Sequence, residues 1–215
     1  MRLLFSVALI PLCYGFSRTI LEIVFRLNVS SEVDSPWMYF VAGFISYLAL
    51  QAIFFKPVFM YVFGHELTHA LAGIISGSKI RAFNVKRDSG SVVLSDVNVF
   101  VTLAPYFIPI YTIVLLVAHA IFIIPRGYFL FLLGMTVSFH TALNVFAISQ
   151  GQSDIRRYGR FFSIVVVYIA NCLVSGALLC IFFPVSLTEF MKKSANHSVE
   201  GVYLAWGLIT TIIQR

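Results

Sequence analysis

Long apolar runs separated by short polar segments dominate the pattern of residues along this chain. Most of these runs are long enough to cross the roughly 30 Å hydrocarbon core of a bilayer as a helix, at about 1.5 Å of rise per residue. The pattern predicts six membrane-spanning helices and leaves open whether a seventh, shorter run also spans. The six runs cover about residues 3–17, 37–55, 58–77, 98–123, 127–148 and 160–184, and the shorter run covers about 202–213. We therefore expect an all-α polytopic membrane protein with about six to seven transmembrane helices.

The segment between the third and fourth runs does not follow the helical pattern. Polar and apolar residues alternate from Lys79 to Val85, turn-forming residues follow up to Gly90, and apolar residues return from Val92 to Leu94. This order predicts a short β-hairpin. Because a two-stranded hairpin is barely stable alone in water, we expect it to lie against the helices or to accept a third strand from another chain.

The residues that follow the first run and those that separate the second and third runs predict how these spans are connected. Arg18 follows the first run at once and no small-residue cleavage site intervenes, so we expect this run to be retained as a span rather than removed as a signal peptide. Only Lys56-Pro57 separates the second and third runs. Since proline restricts the residue before it, these two residues predict a tight turn and an antiparallel helix pair.

The composition narrows the class of protein. Of the 215 residues, 60% are hydrophobic and only 11% are charged, which excludes an ordinary water-soluble domain and makes the lipid bilayer its main partner. The net charge of +6 comes from Lys and Arg residues scattered over short loops, so we expect no nucleic acid partner. We expect one integral membrane domain over residues 1–215, with a core at 58–160 and peripheral helices at 1–57 and 160–215.

The basic residues also predict the orientation of the chain in the membrane. Nine of them fall on the side that carries the hairpin and five fall on the other side, if the runs cross alternately. The first set is Arg18, Arg26, Lys79, Arg81, Lys86, Arg87, Arg156, Arg157 and Arg160, and the second is Arg2, Lys56, Arg126, Lys192 and Lys193. The positive-inside rule then places the hairpin and the loop around Asp154 in the cytoplasm. We expect this membrane to be a bacterial inner membrane.

The third run contains the strongest chemical signal, a His-Glu-x-x-His motif. His65 and His69 are four residues apart, so both imidazoles lie on one face of a helix and can bind one zinc ion. Glu66 lies beside them and can accept a proton from zinc-bound water and pass it to a leaving amine. Ionisable groups inside a span are expensive enough to imply a function. The motif therefore predicts a hydrolytic zinc site.

A catalytic zinc ion needs a third protein ligand and one open position, and the residues leave alternatives for that ligand. His140 lies in the fifth run at about the same depth as His69. Asp154 reaches that depth only if residues 149–153 turn back towards the site, which Gly151 permits. The zinc ion can also lack a third protein ligand. If Asp154 is the ligand, His140 and Asn144 contact the substrate or the transition state, or hydrogen-bond between helices.

Several motifs together resemble the site-2 protease family, the M50 intramembrane zinc metallopeptidases, and most nearly its small M50B-like members. The His-Glu-x-x-His motif resembles the first motif of the family, and the hairpin resembles its membrane-associated β-segment. Ala104-Pro105 looks like a short proline-containing motif found there. Asn144 and Asp154 look like the Asn and Asp of the second metal-binding motif. The resemblance covers about residues 58–160.

The resemblance implies a fold, a cofactor and an activity. Zinc would be held by His65, His69 and Asp154, with Glu66 as the general base. The expected reaction is hydrolysis of a peptide bond in a membrane protein or peptide substrate, within or beside the bilayer. The main alternative is a non-proteolytic zinc-binding membrane scaffold or chaperone that keeps the protease fold, and a transporter is the third. The intact Glu66 favours the enzyme.

Overall fold

The chain is mostly helical, with one two-stranded hairpin, in a computed structural model that describes residues 1–29, 35–54 and 57–213. Its elements are α1 (Arg2–Ala8), α2 (Ile10–Val29), α3 (Pro36–Ile53), α4 (Val58–Ile75), β1 (Ile80–Val85), β2 (Gly90–Leu94), α5 (Val99–Leu103), a 3₁₀ helix (Ala104–Tyr106), α6 (Ile110–Ile121), α7 (Arg126–Ser149), α8 (Ser153–Arg157), α9 (Arg160–Phe182) and α10 (Leu187–Ile213). The prediction of a helical protein with a hairpin after the third long helix is confirmed.

Five helical segments among the described residues are long and apolar enough to cross a membrane. They are Arg2–Leu27, Pro36–Ile53, Val58–Ile75, Arg126–Ser149 and Arg160–Phe182. A sixth candidate is a pair of helices bent by 76°, Val99–Tyr106 with Ile110–Ile121. These lengths and compositions are compatible with a multi-pass membrane protein.

The predicted span over 98–123 is not one continuous helix, because this segment breaks into α5, the 3₁₀ helix and α6. The side chain of Asn98 caps the start of α5, accepting a hydrogen bond of 2.8 Å from the backbone N–H of Val101. Pro105 and Pro109 then lack the N–H groups that a continuous helix needs, and α6 begins only after Pro109. The bend gives the segment a turn of non-α backbone in the middle of an apolar run.

Two helices, α2 and α10, extend beyond the predicted apolar runs. α2 continues past residue 17 to Val29, and α10 begins at Leu187 rather than near residue 202. The added turns carry charged side chains, which pair between the two helices. Arg26 lies 2.8 Å from Glu189, and Glu22 lies 3.5 Å from Lys193. Both helices therefore extend through charged residues that the predicted apolar runs did not include.

The chain divides into two compact units, residues 1–31 with 159–215 and residues 32–158. In the first unit, α2 packs against α10 and α9. Gly15 of α2 allows α2 and α10 to approach closely, because a side chain at this position would collide with Ser194 and Ser198 of α10. Gly176 of α9 meets the ring of Phe190 in the same way. Small residues thus set the helix spacing in this unit.

In the second unit, α3 packs mainly against α7 rather than α4. Gly43 and Gly134 lie at this contact, where a side chain on either would collide with the backbone of Phe131 or Phe40. The predicted antiparallel pairing of α3 with α4 is therefore wrong as a packing prediction, because the closest fit for α3 lies on α7. The predicted tight turn involves Lys56, which lies outside the described residues.

The hairpin lies along α4, as expected. β1 and β2 pair in antiparallel register, with Phe83 opposite Val92 and Val85 opposite Gly90. Gly73 of α4 contacts Leu94, since a Cβ atom on this glycine would lie 2.8 Å from a Leu94 methyl carbon. This packing holds β2 beside the face of α4 that carries the His-Glu-x-x-His motif.

Candidate metal centre

α4 presents His65 and His69 one helical turn apart, with their ring centroids separated by 4.8 Å. The Nε2 atoms of both rings point at one oxygen of Asp154. Oδ2 of Asp154 lies 3.4 Å from Nε2 of His65 and 3.3 Å from Nε2 of His69. The three side chains are 8%, 11% and 25% exposed, so the cluster is largely shielded from solvent.

These donor atoms fit the spacing of a zinc site. Ligand bonds of about 2.0–2.2 Å at tetrahedral angles put neighbouring donor atoms roughly 3.3–3.6 Å apart. Both separations from Oδ2 of Asp154 fall at this spacing, and the three donor atoms lie within 4.8 Å of one another. Two imidazoles and one carboxylate also match the ligand types of catalytic zinc sites. The group can therefore hold a metal ion.

The other ring nitrogens have partners that orient the imidazoles. Nδ1 of His69 donates a hydrogen bond of 2.8 Å to the backbone carbonyl of Val101. Because a carbonyl only accepts, this bond puts the proton of the neutral ring on Nδ1 and leaves the lone pair of Nε2 for a metal ion. Nδ1 of His65 lies 3.5 Å from the hydroxyl of Tyr61. Outer partners of this kind are typical of metal-binding histidines.

Asp154 reaches the histidines because the chain turns sharply after α7. Gly151 adopts a φ of +65°, a left-handed conformation that side chains disfavour, and α8 begins two residues later. Ile155, only 1% exposed, anchors α8 from the next position. Burial would raise the pKa of the Asp154 carboxyl, but the neighbouring imidazoles of His65 and His69 hold that pKa well below its usual range. An ionised carboxylate at this position is ready to bind a cation.

His140 does not join the group of donor atoms. It contacts the amide of Asn144, with Nδ2 of Asn144 2.9 Å from Nε2 of His140. The same amide donates a hydrogen bond of 3.1 Å to the carbonyl of Tyr106. His140 and Asn144 line a cavity of about 30 Å³ that reaches the side of His65. The structure thus brings Asp154, rather than His140, to the two histidines.

Glu66 faces a cleft of about 430 Å³ that also contains the metal-binding group. Its carboxylate lies beside the backbone N–H of Val92 in β2. Gly90 packs directly against it, because a Cβ atom there would lie 2.5 Å from Cγ of Glu66 and 2.8 Å from a methyl carbon of Val62. The hairpin therefore fixes the position of the Glu66 side chain.

The cleft is lined by residues from several parts of the chain. Residues 88–92 and Leu94 come from the hairpin, Gln152 to Asp154 with Arg157 come from the segment after α7, and His65, Glu66 and His69 come from α4. Hairpin residues therefore line the same cleft as the candidate metal ligands and the Glu66 carboxylate.

Three residues of the site were missed by the sequence analysis. Tyr61 lies one helical turn before His65, so helical periodicity was a signal for it. Tyr106 directly follows Ala104-Pro105, and its ring packs edge-on against His65 with centroids 5.4 Å apart. Gln152 hydrogen-bonds to Tyr106, and no sequence pattern indicated it.

Comparisons with known proteins assign no relative to this chain. No family model, curated protein or solved structure matches it.

Proposed function

We propose that this chain is a zinc-dependent metalloendopeptidase of the site-2 protease type, which hydrolyses peptide bonds of membrane proteins within or beside the bilayer. The observation that carries the proposal is the convergence of His65, His69 and Asp154 in the same cleft as the carboxylate of Glu66. A structural metal site needs no such carboxylate beside it. A hydrolytic site needs a base that is not itself a ligand.

The residues of the cleft divide the chemistry between them. A bound zinc ion would supply Lewis acidity, which makes water a nucleophile near neutral pH and polarises the scissile carbonyl. Glu66 accepts a proton from the attacking water and delivers it to the leaving amine. Asp154 and the two histidines would hold the metal ion, and the carbonyl of Val101 keeps His69 in the tautomer that leaves Nε2 for it.

The hairpin provides a surface on which an extended substrate can be aligned. β2 pairs with β1 on one side, and residues 89–92 line the cleft. A peptide that adds as a strand gains backbone hydrogen bonds without regard to its sequence. His140, in the adjoining cavity beside His65, is the candidate donor to the developing oxyanion, whereas Asn144 supports the backbone of Tyr106.

The apolar helices support a location in the membrane. Most of the candidate spans expose large apolar side chains such as Phe25, Ile45 and Ile74, which a bilayer would cover. We place the protein in a bacterial inner membrane, with the hairpin and the Asp154 loop on the cytoplasmic side, as the distribution of Lys and Arg predicts.

The experiment that tests the proposal compares Glu66→Gln with the wild-type protein. Both proteins are purified, analysed for zinc and incubated with a membrane-spanning model substrate in detergent or liposomes. We expect both to contain one zinc ion per chain and only the wild type to cleave. Glu200→Gln, an exposed acidic residue on α10, is the matched control and should cleave normally. If Glu66→Gln keeps full function in cells, the scaffold or chaperone alternative is correct.

A further inference from the structure

One glutamine connects the turn that carries Asp154 to the rest of the site. We propose that Gln152 is a positioning residue, which holds the Asp154 carboxylate in place through hydrogen bonds to Tyr106 and Tyr61. This inference rests on the proposed metal site, because it concerns how the third ligand is fixed. In this role Gln152 contacts neither the metal ion nor the substrate.

The stronger of the two bonds joins Gln152 to Tyr106. The hydroxyl of Tyr106 donates to Oε1 of Gln152 at 2.7 Å, a normal length for a strong O–H···O bond. Tyr106 is itself immobilised, since it is 0% exposed and its carbonyl accepts a hydrogen bond of 3.1 Å from Asn144. The hydroxyl also lies 3.4 Å from Oδ2 of Asp154. The buried Tyr106 can therefore restrain the turn at residues 151–154 through its hydroxyl.

The second bond reaches the helix that carries the histidines. Nε2 of Gln152 donates to the hydroxyl of Tyr61 at 3.4 Å, and that hydroxyl lies 3.5 Å from Nδ1 of His65. Since Nε2 of His65 faces Asp154, the contacts close a ring through His65, Tyr61, Gln152, Tyr106 and Asp154. Each polar atom of the Gln152 side chain has a partner in this ring.

The turn before Asp154 needs these hydrogen bonds because the backbone at Gly151 can adopt several conformations. Gly151 has no Cβ, and the structure shows open space around it, so nothing at that position restricts the chain. On the other side of Asp154, Ile155 is buried and holds α8 by apolar packing. Apolar packing fixes position less strictly than a directed hydrogen bond. Gln152 supplies the directional restraint that a metal ligand requires.

The experiment measures metal affinity and ligand geometry in the full-length purified protein. Gln152→Met keeps the length of the side chain and removes both polar atoms. Gln150→Met makes the same change at an exposed position two residues earlier and is the matched control. Zinc affinity is measured by competition with a chelator, and ligand geometry by the visible absorption of the cobalt-substituted protein.

We expect Gln152→Met to weaken zinc binding by about 10–100-fold and to change the cobalt spectrum, as for other outer partners of metal ligands. Gln150→Met should leave both unchanged. Unchanged affinity and spectrum in Gln152→Met would overturn the role of Gln152 while leaving the proposed protease intact. Absence of zinc binding in the wild type would overturn both.

A second variant keeps the test decisive if Gln152→Met does not fold. Tyr106→Phe removes only the hydroxyl, which bonds Gln152 at 2.7 Å and lies 3.4 Å from Oδ2 of Asp154, and it should also weaken zinc binding. In the double variant, the total loss should be smaller than the sum of the two single losses, because both variants remove the Gln152–Tyr106 hydrogen bond and each removes only one contact of its own. Fully additive losses, or no loss in Tyr106→Phe, would show that Gln152 does not act through Tyr106.

Discussion

Gly90 of the hairpin lies against Glu66 so closely that a Cβ atom at position 90 would be 3.1 Å from the Oε1 atom of Glu66 and 2.5 Å from its Cγ. The hairpin is thus part of the site rather than an appendage. It forms one wall of the cleft and limits where the carboxylate can lie. The position of the proposed general base, Glu66, therefore depends on Gly90, which lies 24 residues later in the chain.

Replacing this glycine should damage the reaction more than the metal site. In Gly90→Ala, either Glu66 or the hairpin has to move, and we expect cleavage to fall by about 100-fold, as for a displacement near 1 Å. Overpacking should also lower the free energy of unfolding by about 1–3 kcal/mol. Zinc content should stay near one per chain. The expected loss of cleavage at unchanged zinc content is checked by measuring peptide cleavage and metal content on the same preparation.

The control for Gly90→Ala is Gly207→Ala, since the structure shows open space around that glycine of α10. It should leave cleavage unchanged. Normal cleavage in Gly90→Ala would show that the hairpin does not position Glu66.

Gly151 provides a second prediction, because its left-handed backbone directs the chain back towards the histidines. Gly151→Ala should strain the turn by roughly 1–2 kcal/mol, the cost of this conformation for a residue with a Cβ atom. We expect the strain to be relieved by movement of Asp154, with weaker zinc binding as the result. Chelator competition measures the change in affinity.

Gly77→Ala is the matched control for the turn. Gly77 also has a positive φ, +79°, and also has open space around it, but it follows α4 and lies away from Asp154. The backbone strain should therefore be similar, whereas zinc affinity should be unchanged. Equal effects of the two variants on zinc affinity would refute a specific role for the turn at Gly151.

A third prediction concerns pH and the pairing of α2 with α10. His197 lies 2.9 Å from Glu200 of its own helix and 3.1 Å from Glu22 of α2, and Glu22 also pairs with Lys193. The hydrogen bond to Glu200 has the largest effect and raises the pKa of His197; burial opposes this rise, and Glu22 adds to it. Below the unfolded pKa of about 6.5, this contribution to stability is fully present. It is lost as the pH rises through the higher pKa of the folded state.

Thermal unfolding in detergent between pH 5.5 and 8.5 measures this dependence. We expect the Tm of the wild type to fall with rising pH more steeply than that of His197→Gln. The difference should be modest, since each exposed ion pair is worth about 0.2–1 kcal/mol. Parallel pH profiles would show that the charge of His197 does not stabilise the contact.

The fourth prediction is the orientation of the chain. Cysteines introduced at Lys86 of the hairpin and at Arg157 after Asp154 should both react with a membrane-impermeant reagent only from the cytoplasmic side. Arg126→Cys, which belongs to the opposite set of basic residues and lies at the other end of α7 from the Asp154 turn, is the contrasting position. Labelling of Lys86→Cys and Arg157→Cys from outside would show that the orientation is reversed.

Local patterns accounted for much of the fold. The alternation from Lys79 to Val85 correctly predicted a strand, because period-two patterning and turn residues are local properties. The long runs also gave α7 and α9 to within a few residues. The break within 98–123 was not predicted, because hydropathy does not respond to the missing N–H groups of Pro105 and Pro109.

Contacts between distant residues were harder to predict. The charged ends of α2 and α10 lie together in the structure, with Arg26 bonded to Glu189 across 163 positions, a contact that neither segment reveals alone. In the site, the spacing of His65 and His69 is local and was sufficient to indicate a metal. The choice between Asp154 and His140 depended on a turn at Gly151, and the spacing of residues left it open.

The most direct test of the account is the zinc content and cleavage activity of four purified proteins: the wild type, Glu66→Gln, His140→Ala and Asp154→Ala. We predict one zinc per chain in the first three and much weaker zinc binding in Asp154→Ala. Glu66→Gln should be inactive, and His140→Ala should be slowed by roughly 10–1,000-fold, as for a missing transition-state donor. An Asp154→Ala protein that binds zinc as tightly as the wild type and still cleaves a membrane substrate would contradict the account.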